Sequence, residues 1–157
     1  AYVELTNGAF QVGGTISKLN VPYRVSDSLY NSDTAAVTIE TATRFEFGPD
    51  KYWELGWAGK EMALEADGVE FVGATAASGS WAGIKIGSAT AGTSFIRNST
   101  ISHSSDYGIQ INKDTGFTFT GNTIDQTTGY CIEKRDADTT DYAAANTLDC
   151  TQGPIKP

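Results

Sequence analysis

Two aspartates of this 157-residue chain are spaced so that a repeating fold would bring their carboxylates together. The interval between Asp125 and Asp149 equals that of the main internal repeat described below. Stacked carboxylates about 5 Å apart can hold a cation or share a proton, and carboxylate pairs cleave glycosidic bonds. Asp125 and Asp149 are therefore the candidate catalytic residues, and Ca²⁺ is the one cofactor they suggest. The competing interpretation is that both point from turns into solvent.

The side chains that could assist this pair do not complete a catalytic set. The nearest bases share no predicted column with the aspartates: Arg97, Lys113, Lys134 and Arg135. His103 is the sole histidine, and its neighbour in a turn, Asp106, cannot form a relay with it by spacing alone. One histidine with two cysteines makes a poor zinc set, so no metal site is predicted. Enzymatic activity stays open, with a non-enzymatic role favoured.

Aromatic side chains form the second candidate site. Trp57 and Trp81 each begin a Trp-Ala-Gly step and lie one repeat interval apart, and Tyr107 and then Tyr130 follow near the same place in later repeats. Flat rings at coil spacing would offer sugar rings a stacking platform. Trp53 falls in a segment predicted as a loop, together with Tyr52, and completes the binding set. The alternative is that the rings pack at a corner of the fold and seal it.

An internal repeat must position all these residues. Phenylalanine recurs at Phe47, Phe71, Phe95 and Phe119, a constant step of 24 in residue number. Asparagine follows three positions later, at Asn98, Asn122 and Asn146. Apolar pairs such as Ile84 and Ile86 alternate as in a strand with one buried face. A period near 24 fits a leucine-rich repeat or a coil of three short strands, and the scarcity of leucine favours the coil.

Stacked coils place like residues above one another, about 4.8 Å apart. Phenylalanine would then stack inside the coil, and an inward asparagine in a turn would bond its own coil and the next. The sequence predicts an all-β parallel β-helix of about five to six coils in a single domain, 1–157. Residues 37–150 form its regular coils, 1–36 an N-terminal cap or partial coil, and 151–157 a C-terminal tail.

The charge balance excludes some partners. Acidic residues outnumber basic ones 19 to 11, giving a net charge of −8, so nucleic acid and anionic membranes are disfavoured. The sequence has no apolar stretch long enough to span a membrane and no cationic-then-apolar leader. Because it begins at Ala1, we expect a processed form or an excised domain. The threonines do not repeat in one column, which argues against ice binding, and the Asn98-Ser99-Thr100 sequon is interpreted as structural.

The two cysteines, Cys131 and Cys150, are 19 residues apart in a composition typical of secreted chains. A disulfide between them is predicted. Cys131 follows Tyr130, which the alternation places inside the coil, so Cys131 is expected to face outward. The bond would join the last coil to the one before it.

Several segments share a recognisable pattern: Pro22-Tyr23-Arg24-Val25, residues 37–47, Gly79-Ser80-Trp81-Ala82-Gly83-Ile84-Lys85-Ile86, Gly108-Ile109-Gln110-Ile111 and the Asn-Thr-Ile steps. Together they resemble the right-handed parallel β-helix repeat proteins of bacterial cell surfaces and secretions. The resemblance covers about residues 22–148 and departs at Ala42, where family members usually carry glycine. It implies the fold, and it implies function weakly because such folds host lyases, hydrolases, adhesins and phage spikes.

These observations favour a binding or structural module that is extracellular or displayed on a cell surface, with polysaccharide or a surface glycan as the expected partner. The rival hypothesis is a polysaccharide lyase or glycoside hydrolase acting through Asp125 and Asp149. A third hypothesis is a domain of a larger adhesin or spike, which meets neighbouring domains or other copies at its coil ends.

Overall fold

The computed structural model describes residues 1–112, 116–134 and 138–156. Within these residues the chain forms nineteen short strands and one 3₁₀ turn, Trp57–Gly59. None of the described helical structure is long and apolar enough to cross a membrane. The strands pair in parallel with the equivalent strands of the next coil. The chain is therefore a parallel β-helix, and the predicted fold is confirmed.

Three sheets, which we call A, B and C, run the length of the stack. Sheet A contains β1 (Val3–Leu5), β4 (Tyr23–Val25), β7 (Arg44–Phe47), β10 (Glu70–Gly73), β13 (Thr100–Ser102), β16 (Thr123–Thr127) and β18 (Thr147–Cys150). Sheet B contains β2 (Ala9–Phe10), β5 (Leu29–Asn31), β8 (Tyr52–Leu55), β11 (Gly83–Ile86), β14 (Tyr107–Ile111), β17 (Tyr130–Lys134) and β19 (Gly153–Ile155). Sheet C contains β3 (Gly14–Ile16), β6 (Ala35–Ile39), β9 (Met62–Asp67), β12 (Phe95–Arg97) and β15 (Thr118–Thr120).

The coils differ in length, and their lengths scatter around the predicted repeat. One position of sheet A is occupied in turn by Val3, Tyr23, Phe45, Phe71, Ile101, Ile124 and Leu148. Successive coils thus contain 20, 22, 26, 30, 23 and 24 residues. A constant spacing of 24 residues does not match these coil lengths. Residues that the spacing assigns to one column therefore lie in different columns wherever the coil length changes.

The predicted phenylalanine column is wrong for this reason. Phe71 stacks on Phe45 rather than Phe47, with ring centroids 5.7 Å apart. Phe95 belongs to sheet C and faces outward, beneath the guanidinium of Arg97. Phe47 and Phe119 are buried, but in different sheets. Aromatic rings do stack in the core, as predicted, but the stacked pairs are Phe45 with Phe71 and Phe47 with Trp81.

The corner from sheet C to sheet A is a single residue in the left-handed region, followed by an inward residue. Four consecutive coils place Ala42, Gly68, Asn98 and Gly121 there, with φ between 50° and 69°. Glycine adopts this conformation without strain. The turn requires a left-handed backbone, which explains why the resemblance leads us to expect glycine at position 42. Ala42 adopts this conformation at some conformational cost.

The asparagine ladder is confirmed for two of its three members. Asn122 Nδ2 donates to Asn146 Oδ1 at 3.0 Å and to the carbonyl of Ile96. Asn98 is not part of the ladder, because it occupies the left-handed position and its side chain is exposed and bonded to Asp67. Ser99 takes the inward place, and its amide donates to Asn122 Oδ1.

The first 36 residues form coils rather than a cap. Strands β1–β3 make a complete coil and β4–β6 the next, both shorter than the predicted repeat, which is why they fall outside its frame. No described strand lies below the first coil. Its inward side chains, Leu5, Phe10 and Ile16, therefore line an open cavity of about 490 Å³.

The opposite end is closed. Strand β19 pairs with β17, so the segment predicted as a tail continues sheet B. Tyr142 is buried, and its ring lies 6.3 Å from that of Phe119. The predicted disulfide between Cys131 and Cys150 is present and joins the last two levels of the stack. Cys131 is buried rather than outward-facing, because the backbone at this corner turns its sulfur towards the carbonyl of Ile124.

Candidate functional site

The outer surface of sheet B, here called the sheet B face, carries a column of polar and aromatic side chains. In β5, β8, β11 and β14 the residue between two buried neighbours faces outward, and in β17 Glu133, which follows the buried Ile132, takes the equivalent place. The strand register stacks these residues in one line: Tyr30, Glu54, Lys85, Gln110 and Glu133. Beside this column lie three further tyrosines, Tyr52, Tyr107 and Tyr130.

At the lower end of the face, Trp57 packs on Tyr30, with ring centroids 4.9 Å apart. Trp57 is 42% exposed and belongs to the 3₁₀ turn that follows β8. The buried Asn31 fixes this turn, since its Oδ1 accepts hydrogen bonds from the amides of Gly56 and Trp57. Its Nδ2 donates to the carbonyls of Asp33 and Lys60. The turn therefore holds an exposed indole in a defined position.

At the other edge of the coil that contains Trp57, the ring of Tyr52 carries a cation. The ammonium of Lys85, one coil above, lies 4.2 Å from the ring centroid. This distance is within the range of an attractive cation–π contact. The contact shows that a tyrosine face on this surface accepts an ammonium group.

At the upper end, Tyr107 and Tyr130 are register partners at the corner between sheets A and B. A surface cavity of about 330 Å³, here called the Tyr107–Tyr130 groove, opens beside them. Its lining residues are Asp106, Tyr107, Tyr130, Glu133, Gln152 and Lys156. Aromatic rings with a few convergent polar groups are the usual composition of a small-molecule site.

Glycines at this corner make room for the rings. A Cβ on Gly83 would lie 3.2 Å from Cδ2 of Tyr107 and would overlap its carbonyl oxygen. A Cβ on Gly129 would overlap the carbonyl oxygen of Asp106. Gly153 lies against the ring of Tyr130. Larger residues would push the coils apart here, so the groove depends on these glycines.

The groove is electronegative. Glu133 accepts a hydrogen bond from Gln110 Nε2 at 3.0 Å and pairs with Lys156 at 3.1 Å. Within the described residues, Asp106 and Glu54 have no ion-pair partner. The pKa of Tyr107 is raised, first by burial and then by the negative charges of Glu133, Asp106 and Glu54. Three carboxylates therefore act on one phenol at the groove.

The structure separates the predicted tryptophan platform. Trp81 is buried, stacks on Phe47 at 4.2 Å and donates from Nε1 to the carbonyl of Ser102. It precedes β11 while Trp57 follows β8, so the two indoles lie at opposite edges of sheet B and do not align. The expectation of a platform built on Trp57 and Trp81 is wrong, because an insertion before Trp81 lengthens that coil.

Trp53 is not in a loop. It lies in β8 and points into the core, where its ring packs on Phe10 and on the edges of Phe45 and Phe71. It is buried and cannot contact a ligand. Of the four predicted binding residues, Trp57 is exposed on the sheet B face, Tyr107 is 9% exposed and lines the groove, and Trp53 and Trp81 are buried in the core.

Tyr30 was not predicted as a binding residue, whereas Tyr52 and Tyr130 were considered together with the predicted set. The signal for Tyr30 was the alternation Leu29-Tyr30-Asn31, in which the middle residue faces outward as Lys85 and Gln110 do in their strands. Tyr130 was expected inside the coil with Ile132, but it is partly exposed at the start of β17, whereas Ile132 is buried.

On sheet A, Asp125 and Asp149 are register partners, as predicted, and Ser102 lies one coil below. Asp149 is exposed, while Asp125 Oδ1 is buried without a hydrogen-bond partner in the described part of the chain. That part contains no group of three metal-ligating side chains. The roles of both aspartates as catalytic residues and of Ca²⁺ stay predictions.

The candidate bases lie away from this pair. Lys134 is held by the carbonyls of Asp138 and Thr140, and Arg97 pairs with Asp67. Lys113 and Arg135 lie outside the described residues. The ring of His103 is bonded to Ser102 rather than to Asp106, as expected from the spacing.

Comparison with known families gives one match. A family model described as a right-handed β-helix region matches residues 11–150. Comparisons with curated proteins and with solved structures found no match. The match covers nearly all of the coils that carry the sheet B face.

Proposed function

The chain belongs to the right-handed β-helix family, and on that premise we propose that it is an extracellular glycan-binding module whose site is the sheet B face. The observation that carries the proposal is the concentration of aromatic side chains on this one outer surface. Trp57 and Tyr30 lie at one end, Tyr52 lies in the same coil as Trp57 at the opposite edge of the sheet, and the Tyr107–Tyr130 groove lies at the other end.

The geometry suits an extended sugar chain. Sugar rings present apolar faces that stack on aromatic rings, while carboxylate and amide groups accept or donate hydrogen bonds to hydroxyls. Tyr30 and Tyr130 lie four coils apart, about 19 Å at strand spacing. A surface of that length could contact several consecutive sugars, and the rigid stack would hold the contacts in fixed positions.

An extracellular location is part of the proposal. Disulfides persist in oxidising compartments, and Cys131 and Cys150 form one. The bacterial origin that the resemblance implies stays a prediction.

A panel of immobilised polysaccharides tests the proposal by affinity electrophoresis. We expect retardation of the wild-type protein on at least one glycan and at least about tenfold weaker binding for Tyr130→Ala, since an aromatic contact contributes about 1 kcal/mol beyond its buried area. Tyr130 is partly exposed, so the variant should fold. Asp149→Asn, exposed on sheet A, is the matched control and should bind normally. Failure of the wild type to bind any glycan would overturn the proposal.

The second candidate function is polysaccharide cleavage on sheet A. What supports it is the register pairing of Asp125 with Asp149, with one oxygen of Asp125 buried and unpartnered among the described residues. Release of reducing or unsaturated sugar from a polysaccharide, lost in Asp125→Asn, would support cleavage. A wild type that binds a glycan without shortening it would support the binding module.

A role as a domain of a larger adhesin or spike is supported by the open first coil. Strands β1, β2 and β3 are the edges of their sheets, and unpaired edges invite further strands. Size-exclusion chromatography with light scattering measures whether the chain associates through its ends. A monomer at all concentrations would count against association between copies.

A further inference from the structure

The charges on the sheet B face select among glycans, provided that the face binds glycans as proposed above. The groove residues Asp106 and Glu133 and the neighbouring Glu54 supply three carboxylates, against the ammonium groups of Lys85 and Lys156. Lys156 is paired with Glu133, which Gln110 also bonds. Glu133 is thereby satisfied within the protein.

Lys85 does not satisfy the remaining carboxylates. It is the register neighbour of Glu54, but its ammonium lies over the ring of Tyr52 and not within ion-pair distance of Glu54. Asp106 is exposed at the rim of the groove, and only its backbone carbonyl is engaged, by the amide of Tyr130. Asp106, at the rim of the groove, therefore carries a charge that the described residues leave free to meet a ligand, and Glu54, two coils below Tyr107, adds a second unpaired negative charge on the same face.

We propose that the Tyr107–Tyr130 groove recognises an amino sugar with a free, protonated amine, as in polymers of glucosamine. Asp106 would pair with the ammonium while a tyrosine ring covers the apolar face of the sugar. Lys85 on Tyr52 shows the same combination of ammonium and ring two coils below Tyr107. Cations are favoured over tyrosine faces and beside carboxylates.

The same charges exclude acidic polysaccharides. A uronate or sulfated chain would bring anions beside Asp106 and Glu54 on a protein whose net charge is −8. Like charges at close range in a partly buried site repel each other. An N-acetylated sugar would keep the ring contact but lose the ion pair. The three sugar types are therefore expected to bind in the order amino, N-acetylated, acidic.

Isothermal titration calorimetry with four oligosaccharides tests this order: oligomers of glucosamine, N-acetylglucosamine, glucose and galacturonate, at low salt and at a pH where the amine is protonated. We expect the glucosamine oligomer to bind at least about tenfold more tightly than the N-acetylated one, since a hydrogen bond to a charged group contributes about 1.5–3 kcal/mol. Added salt should reduce the difference.

Two variants decide which residue provides the selectivity. Asp106→Asn should remove the preference for the amine, so that the glucosamine and N-acetylglucosamine oligomers bind with similar affinity, whereas Glu65→Gln, exposed on sheet C, should leave the preference unchanged. Circular dichroism checks that both fold.

Equal binding of the amino and N-acetylated oligomers, tightest binding of galacturonate, or an unchanged preference in Asp106→Asn would each overturn the inference while leaving glycan binding intact. Binding of none of the four oligomers, together with none of the polysaccharide panel, would instead overturn the proposed function.

Discussion

The corner from sheet C to sheet A and the corner from sheet A to sheet B are built differently. The first repeats one device in four consecutive coils, a left-handed residue followed by an inward residue such as Ser99 or Asn122. The second changes from coil to coil and contains an insertion at residues 74–80, a register shift after Asp125 and the disulfide.

This difference separates architecture from the candidate site. At the regular corner the inward side chains of Asn122 and Asn146 bond each other and the amide of Ser99, so these polar groups are satisfied within the protein. At the irregular corner, glycines such as Gly83 and Gly129 let coils approach closely and leave room for Tyr107 and Tyr130. The repeated turn between sheets C and A stabilises the fold, whereas the variable turn between sheets A and B forms the groove.

The largest expected effect comes from filling the irregular corner. Gly129→Ala would make a Cβ overlap the carbonyl oxygen of Asp106, which only a backbone shift can relieve. We expect a loss of about 3 kcal/mol in the free energy of unfolding, measured by urea denaturation. Gly14→Ala is the control, because its Cβ would meet nothing within 4 Å. Equal stability of the two variants would show that the coils are not in close contact here.

Removal of the disulfide should destabilise the protein by a similar amount. The bond closes a loop between residues 19 apart, and Cys131→Ser with Cys150→Ser should lower the free energy of unfolding by about 3 kcal/mol. Gln152 and Lys156 line the groove from the last coil, so glycan binding should weaken as well. Denaturation and calorimetry of the double variant measure both effects. Unchanged binding would mean that the last coil holds its position without the bond.

At the regular corner, Asn122→Ala should cost about 2 kcal/mol, because it leaves the buried amide of Ser99 and the carbonyl of Ile96 without their partners. Glycan binding should not change. Asn98→Gly is the matched control, since Asn98 is exposed and left-handed, and glycine suits that conformation. A larger loss in Asn98→Gly than in Asn122→Ala would reverse the assignment of the two asparagines.

The smallest expected effect is a gain. Ala42 is left-handed, with φ 63°, where its equivalents include Gly68 and Gly121. Ala42→Gly should therefore raise the free energy of unfolding by about 0.5–1 kcal/mol. Ala36→Gly, in an exposed position of β6, should lower it by a similar amount. If Ala42→Gly also destabilises, the left-handed turn is not strained by alanine.

The same contrast explains what could be predicted from the sequence. The regular corner and the alternating strands repeat locally, so the fold, the approximate coil length, the Asn122–Asn146 contact and the disulfide were all predicted correctly. Column assignments that assumed a constant repeat of 24 residues were wrong where the coil length changes. The longest coil, which separates Phe71 from Ile101, displaced Trp81 and Phe95 from the columns to which a constant step assigned them.

The groove could not be predicted for a related reason. Its position depends on close approach between coils at Gly83 and Gly129, which is a property of the stacked backbone rather than of any motif. Tyr107 was identified from its place near the Trp-Ala-Gly steps, but its true neighbours are Tyr130 and three carboxylates. Residues that recur in sequence were easier to place than those brought together by an irregular turn.

Amide chemical-shift mapping during titration with a glucosamine oligomer tests the central claim most directly. We predict that the shifts concentrate on β14, β17 and β19 and around Asp106 and Gln152, with little change in β13, β16 and β18 of sheet A. Shifts centred on Asp125 and Asp149, or spread evenly over the regular corner, would contradict the assignment of the binding site to the sheet B face.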